Sequence, residues 1–284
     1  MVYLFAIGAV ALWSTNALVA SLVLTELPVE QVQFLQFLGA LIIFAAIRYS
    51  RKLKDGTQKI SRASWMLGIM GLTGTMIFQY IAFSIGPITE VNVIAYAWPL
   101  ITALLIVKAG ATSHPRLLIF MSFIGFLGAA IVIGGDTLFN LSLELNVYGF
   151  LFASLSALCM AFYSFGIGRV TVDANNVLFA GAFIGFIITA IWCFFGEAVW
   201  TSPRAITAGL YLGVGPMGVG YLLWSFAMQR DKSGNAALLG FLTPITSTLL
   251  LLGNGNVMNA TSIFGAFLVI VSCLIISLRS QQQA

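Results

Sequence analysis

The charged residues of this chain leave nine uninterrupted windows without charge: residues 1–25, 31–47, 63–89, 91–107, 117–135, 145–168, 174–196, 205–229 and 233–278. A helix crosses the hydrocarbon core of a bilayer with about 17–25 apolar residues. Eight of the windows hold one span each. The ninth is long enough for two, divided at the turn-forming run Gly253-Asn254-Gly255-Asn256. Ten spans follow, at about 3–24, 29–48, 63–85, 88–107, 116–134, 147–169, 175–196, 203–228, 234–253 and 259–278. A soluble fold is excluded on composition. Charged residues make up 8% and hydrophobic residues 60%, and mean hydropathy is +1.01, whereas soluble domains carry roughly 25% charged residues. Strands of a membrane barrel would alternate polar and apolar positions, and these windows do not. The expected fold class is all-α: a polytopic membrane protein of ten transmembrane helices.

Position of charge then sets orientation. With the N-terminus in the cytoplasm, twelve of the thirteen basic residues fall on the cytoplasmic side and only Arg204 on the other, as the positive-inside rule requires. Both termini are then cytoplasmic. The acids Glu26, Glu30, Glu90, Asp136, Glu144 and Glu197 lean outward. The first span lacks a basic n-region and is too long for a signal-peptide core, so it is counted as a real helix.

The two halves resemble each other. Pro99-Leu100-Ile101-Thr102-Ala103-Leu104-Leu105 pairs with Pro244-Ile245-Thr246-Ser247-Thr248-Leu249-Leu250 at an offset of 145. Leu67-Gly68 pairs with Leu212-Gly213 at the same offset. Five helices per half is an odd number, so the second half must be inverted. The expected organisation is one membrane domain, with repeat 1 at residues 1–140 and repeat 2 at 145–284. Inverted repeats place a transport site at the midplane between the halves, so a central cavity is expected.

Spans four and nine each carry a proline near mid-membrane, at Trp98-Pro99 and Thr243-Pro244. Proline lacks an N–H and clashes with the carbonyl four residues back. The carbonyls of Ala95 and Gly240 are therefore expected to lose their helical partners. Such backbone is tolerated at this depth only inside protein or beside water. Pro99 and Pro244 are the expected helix breaks. Around them the candidate substrate-binding residues are Trp13 and Asn16 in span one, Gln79 and Tyr80 in span three, Tyr96 and Trp98 in span four, Tyr163 in span six and Trp224 in span eight. Glycines at 68, 71 and 74, and at 213, 215, 218 and 220, occupy matching spans and point to close helix crossing.

The missing residue types matter as much. No Lys or Arg lies deep in a span, as a carrier of phosphate-bearing substrates would want. No Asp or Glu lies at mid-span, where a proton-coupled pump usually has one. Glu90 is the nearest acid and reads as a solvated acid at the outer end of span four. A neutral or zwitterionic substrate follows, with facilitative transport. Cys159, Cys193 and Cys273 all lie inside spans and read as small packing residues. His114 is the only histidine and stands in a loop, so no metal or other cofactor is expected. No nucleic-acid partner is expected either.

The segments Leu12-Trp13-Ser14-Thr15, Glu90-Val91-x-x-Ile94-x-Tyr96-x-Trp98-Pro99, Gly134-Gly135-Asp136 and Phe241-x-Thr243-Pro244 resemble the EamA-type branch of the drug/metabolite transporter superfamily. Within it they are most similar to the exporters of aromatic amino acids. The resemblance runs over essentially the whole chain. It implies a ten-helix basket with a central cavity that exports aromatic and other largely apolar amino acids from the cytoplasm. Taken with the inverted halves, the expectation is an alternating-access exporter that functions as a monomer in a bacterial inner membrane. It also implies Trp13, Tyr80, Tyr96, Trp98 and Tyr163 as cavity lining. One departure stands in span six, where Met160 replaces the expected tryptophan. Two rivals remain at this point: a multidrug or other-metabolite exporter of the same superfamily, and a non-transport membrane subunit or intramembrane enzyme.

Overall fold

The computed structural model describes residues 1–55, 59–135, 146–196, 200, 202–231, 233–252 and 260–281, without the side chains of residues 17, 54, 55, 252, 280 and 281. The expected turn at Gly253-Asn254-Gly255-Asn256, the acids Asp136, Glu144 and Glu197, and the basic Lys232 lie outside the described residues.

The described residues form ten helical elements joined by short connections. They are α1 Val2–Val23, α2 Val29–Asp55, α3 Arg62–Ile85, α4 Ile88–Lys108, α5 Pro115–Gly134, α6 Val147–Ile167, α7 Ala174–Phe195, α8 Pro203–Arg230, α9 and α10 Ala260–Gln281. Element α9 joins a 3₁₀ segment Asn235–Phe241 to an α-helix Leu242–Leu252. Nine elements are long and apolar enough to cross a membrane, and α9 is shorter. Seven residues at about 2.0 Å and eleven at about 1.5 Å give about 30 Å, the thickness of a hydrocarbon core.

Helix starts follow local chemistry. Asp173 accepts the Asn176 N–H at 2.9 Å and Asn146 accepts the Gly149 N–H at 2.8 Å, so α7 and α6 each begin on a capping side chain. Pro115 and Pro203 open α5 and α8, where a missing N–H costs nothing. A sharp turn joins α8 to α9. Gly234 there has φ 79°, which L side chains avoid, and Asp231 accepts from the Ser233 and Ala236 N–H groups at 3.0 and 2.5 Å.

Glycines set the closest helix crossings, as their spacing implied. A Cβ on Gly39 of α2 would stand 2.7 Å from the Leu210 carbonyl and 3.0 Å from the Gly213 Cα of α8. A Cβ on Gly181 of α7 would stand 2.8 Å from the Gly68 carbonyl carbon of α3. Gly39 and Gly181 are 142 apart and Gly68 and Gly213 are 145 apart, so one crossing is built twice, once from each half. Helices α5 and α10 meet at a third, where a Cβ on Gly128 would lie 2.6 Å from the Gly265 carbonyl and one on Gly265 would lie 2.7 Å from the Gly128 carbonyl.

Two features depart from the sequence reading. Segments Ile69–Gly74 of α3 and Gly213–Gly220 of α8 are π-helical, at equivalent places in the two halves, where regular α-helix was expected. Glycine tolerates the widened backbone, and such segments gather at functional sites. The second departure is at Gly240, whose carbonyl was expected to stand free. It accepts from the Leu242 N–H, because the 3₁₀ segment tightens the chain ahead of Pro244. In α4 the break is open: the first half ends at Ala95, Tyr96 and Ala97 form a turn, and a new helix starts at Trp98 with Pro99 in its first turn.

Candidate functional site

A cavity of about 90 Å³ opens at these breaks. It is several times the volume one water needs. Helix α1 gives Trp13 and Asn16 to its wall, α3 gives Thr75, Met76 and Gln79, and α4 gives Ala95, Tyr96 and Trp98. From the second half come Ser156 and Met160 of α6, Leu212, Pro216, Met217 and Tyr221 of α8, and Thr243 of α9. Both halves therefore build it, and none of these side chains is charged.

Five of the eight expected binding residues line the cavity: Trp13, Asn16, Gln79, Tyr96 and Trp98. Tyr80, Tyr163 and Trp224 do not. They are 2%, 0% and 0% exposed and form a layer behind the wall, because each polar tip has found a protein partner there. The Tyr80 hydroxyl accepts from Gln36 Nε2 at 2.7 Å and also bonds Asn16. Tyr163 Oη lies 2.6 Å from Ser225 Oγ. Trp224 Nε1 donates to Ser164 Oγ at 3.0 Å. Pro99 and Pro244 are buried and shape the wall without lining it. Glu90, in the first turn of α4, is not a lining residue.

The indoles of Trp13 and Trp98 floor the cavity, backed by that of Trp224. Trp98 meets Trp224 edge to face at 5.2 Å and Trp13 at 6.3 Å, and Trp13 and Trp224 lie 5.2 Å apart. Tyr221 stands edge-on to Trp13 at 5.5 Å. Trp13 Nε1 donates to the Pro216 carbonyl at 3.0 Å. That carbonyl lies in the π segment of α8, so the irregular backbone of one half is tied to an aromatic of the other. Toward the Gly234 turn, Tyr163, Ile167, Ala236, Ala237, Leu238 and Phe241 are fully buried.

The sequence reading missed several polar groups. Gln31, Gln33 and Gln36 of α2 are fully buried. Gln33 Nε2 donates to Gln36 Oε1 at 2.5 Å, so a chain of side chains runs from Gln33 through Gln36 and Tyr80 to Asn16 at the cavity. Thr75, Ser156 and Thr243 were not singled out either. Ser156 Oγ donates to the Thr75 carbonyl at 2.9 Å. The wall can thus hold a neutral or zwitterionic molecule with an apolar part against indoles and thioethers. Met160, the departure noted above, is part of that wall.

Known proteins agree with this architecture. A protein crystal structure superposes with a TM-score of 0.85 at 24% identity, with 98% of this chain and 97% of that chain covered, so the fold is shared. The aromatic amino acid exporter YddG of Ancylobacter novellus is 26% identical over 250 residues, which span 87% of this chain and 86% of that protein. The EamA-like transporter family matches residues 1–134 and again 147–278. With both five-helix halves matched, this chain belongs to the EamA-like transporter family and is a multi-pass membrane transporter of small molecules, not an enzyme.

Proposed function

We propose that this protein exports neutral, aromatic and other largely apolar amino acids and related metabolites from the cytoplasm, by alternating access and without ion coupling. The observation that carries the reading is the cavity itself: two helix breaks, an indole floor, amides in the wall and no charged lining residue. An apolar side chain stacks on the indoles, and a zwitterionic head finds the amide and hydroxyl groups. The name of the YddG relative points the same way. Trp13, Asn16, Gln79, Tyr96 and Trp98 touch the substrate in this reading, and Tyr80, Tyr163 and Trp224 hold them in place. Repeats 1–140 and 145–284 are inverted, both termini are cytoplasmic, and the packed indole floor then closes the cytoplasmic side. The setting is a bacterial inner membrane and the working unit a monomer.

Met76, Met160 and Met217 in the wall favour a second reading, a multidrug or other-metabolite exporter, because thioethers adapt to many shapes. Proteoliposomes separate the two. Saturable uptake of labelled phenylalanine, threonine or methionine that ignores an imposed pH gradient supports the amino acid reading. Flux equal to that of empty liposomes, from protein shown to be folded, rejects it and favours the second.

A further inference from the structure

Trp98 and Thr243 occupy equivalent positions, 145 residues apart and each directly before the proline of a broken helix. One half thus places an indole at the cavity and the other a threonine. Thr243 is 3% exposed and lines the cavity, yet its Oγ1 has no hydrogen-bond partner among the described residues. Thr75 Oγ1, also in the wall, lacks a close partner too, but it lies beside the Tyr221 hydroxyl. Elsewhere buried span hydroxyls commonly bond back along their own helix, as Thr102 does to the Trp98 carbonyl at 2.8 Å and Ser122 to the Leu118 carbonyl at 2.7 Å. Thr243 lacks this outlet. The carbonyls four and three residues back, of Leu239 and Gly240, lie in the 3₁₀ segment, and the Thr243 Oγ1 bonds neither. An unpartnered buried hydroxyl is costly, so its retention calls for a partner that arrives with the substrate.

The surroundings say what that partner is. The helices Trp98–Lys108 and Leu242–Leu252 both start at the cavity. Helix N-termini favour negative charge. Each has a proline in its first turn, which removes a backbone N–H that would face an anion. The residue before each proline carries a side-chain donor instead: the Trp98 Nε1–H and the Thr243 Oγ1–H. Gly240, one turn before Thr243, lies against the Trp98 ring, so the indole and the threonine belong to one helix crossing.

We propose that Thr243 is a specificity-determining residue that donates a hydrogen bond to the carboxylate of the substrate, beside the Trp98 indole N–H and between the two helix N-termini. The proposal rests on the amino acid reading above and adds the group that recognises the acid. Thr243 then separates amino acids from the matching amines.

The test is equilibrium binding to purified protein of three probes: phenylalanine, 3-phenylpropionate (no ammonium) and phenethylamine (no carboxylate). Thr243→Val keeps the shape and removes the hydroxyl, and Thr243→Ser keeps the hydroxyl. Hydrogen bonds to charged groups convert to roughly 10- to 100-fold in affinity. Thr243→Val should lose about that factor for phenylalanine and 3-phenylpropionate and bind phenethylamine as the parent does. Thr243→Ser should stay within about threefold of the parent. Thr243→Val should also melt no lower than the parent, since it removes an unpartnered buried group. Equal loss for all three probes, or no loss for the acids, overturns the proposal. If the parent binds 3-phenylpropionate but not phenylalanine, and Thr243→Val loses it, the carboxylate site stands and the amino acid reading falls. If the parent binds none of the three, both fall.

Discussion

Gly240 has no side chain because the Trp98 indole stands where one would be. A Cβ there would overlap the ring edge and lie 3.3 Å from Pro99 Cγ. Gly240→Ala should therefore displace the indole from its 5.2 Å contact with Trp224 and unseat the cavity floor. Uptake should fall at least ~10-fold at normal membrane insertion, since small misplacements at a site cost this much or more. Trp98→Phe in the same chain should restore part of it by making room. A Gly240→Ala protein with full uptake would show the floor to be soft. Behind the wall, Gln36 bonds both Gln33 and the Tyr80 hydroxyl. Gln36→Leu takes the partner from the Gln33 amide N–H and leaves the Tyr80 hydroxyl with Asn16 alone, and should destabilise by about 1–3 kcal/mol, read by thermal melting in detergent. Residues of these two kinds were unequally legible. Trp98 could be read because a bulky indole with a buried donor is itself unusual beside a mid-span proline. Gln36 and Thr243 could not, because an amide or a threonine in a span is ordinary until the fold decides whether it has a partner.

The spans could be read from sequence because hydrocarbon imposes one length on every crossing helix. The breaks could be read because proline removes a donor wherever it sits. The π segments could not. Their glycines permit a widened turn but equally permit plain close packing, and the choice lies with the neighbours: Gly68 against Gly181, Gly213 against Gly39, and Trp13 on the Pro216 carbonyl. Pro216 sits inside the α8 segment and lines the cavity. A proline inside a helix costs about 3 kcal/mol relative to alanine. Pro216→Ala returns an N–H and lets regular helix compete for carbonyls, including the one Trp13 now holds. The variant should melt higher, by up to a few degrees, and transport more slowly. A faster transporter, or one with a lower melting temperature, would mean that the π segment needs its proline to form at all.

At the scale of the molecule, the two halves meet through repeated contacts, and this is why sequence offsets of 142 and 145 reappear as equivalent crossings. The short sequence matches do not show these crossings; the glycine contacts do. Direction across the membrane is carried by charge. Placing the N-terminus inside puts twelve of thirteen basic residues on the cytoplasmic face, and the bias of Lys and Arg near span ends sets orientation. A fluorescent protein fused to the C-terminus should therefore fluoresce, and a phosphatase in its place should be inactive. The same orientation puts the Arg230 end of α8 and the Gly234 turn inside, beneath the buried indole floor. A cysteine at Asn16 or Gln79, in a chain whose Cys159, Cys193 and Cys273 are replaced, should then react with an impermeant thiol reagent added outside intact cells. One at Ser233 should react only after the membrane is opened. An active phosphatase fusion would reverse the bundle and place the packed floor outside. The closed end would then be the extracellular one, and the cavity would face the cytoplasm, ready to load.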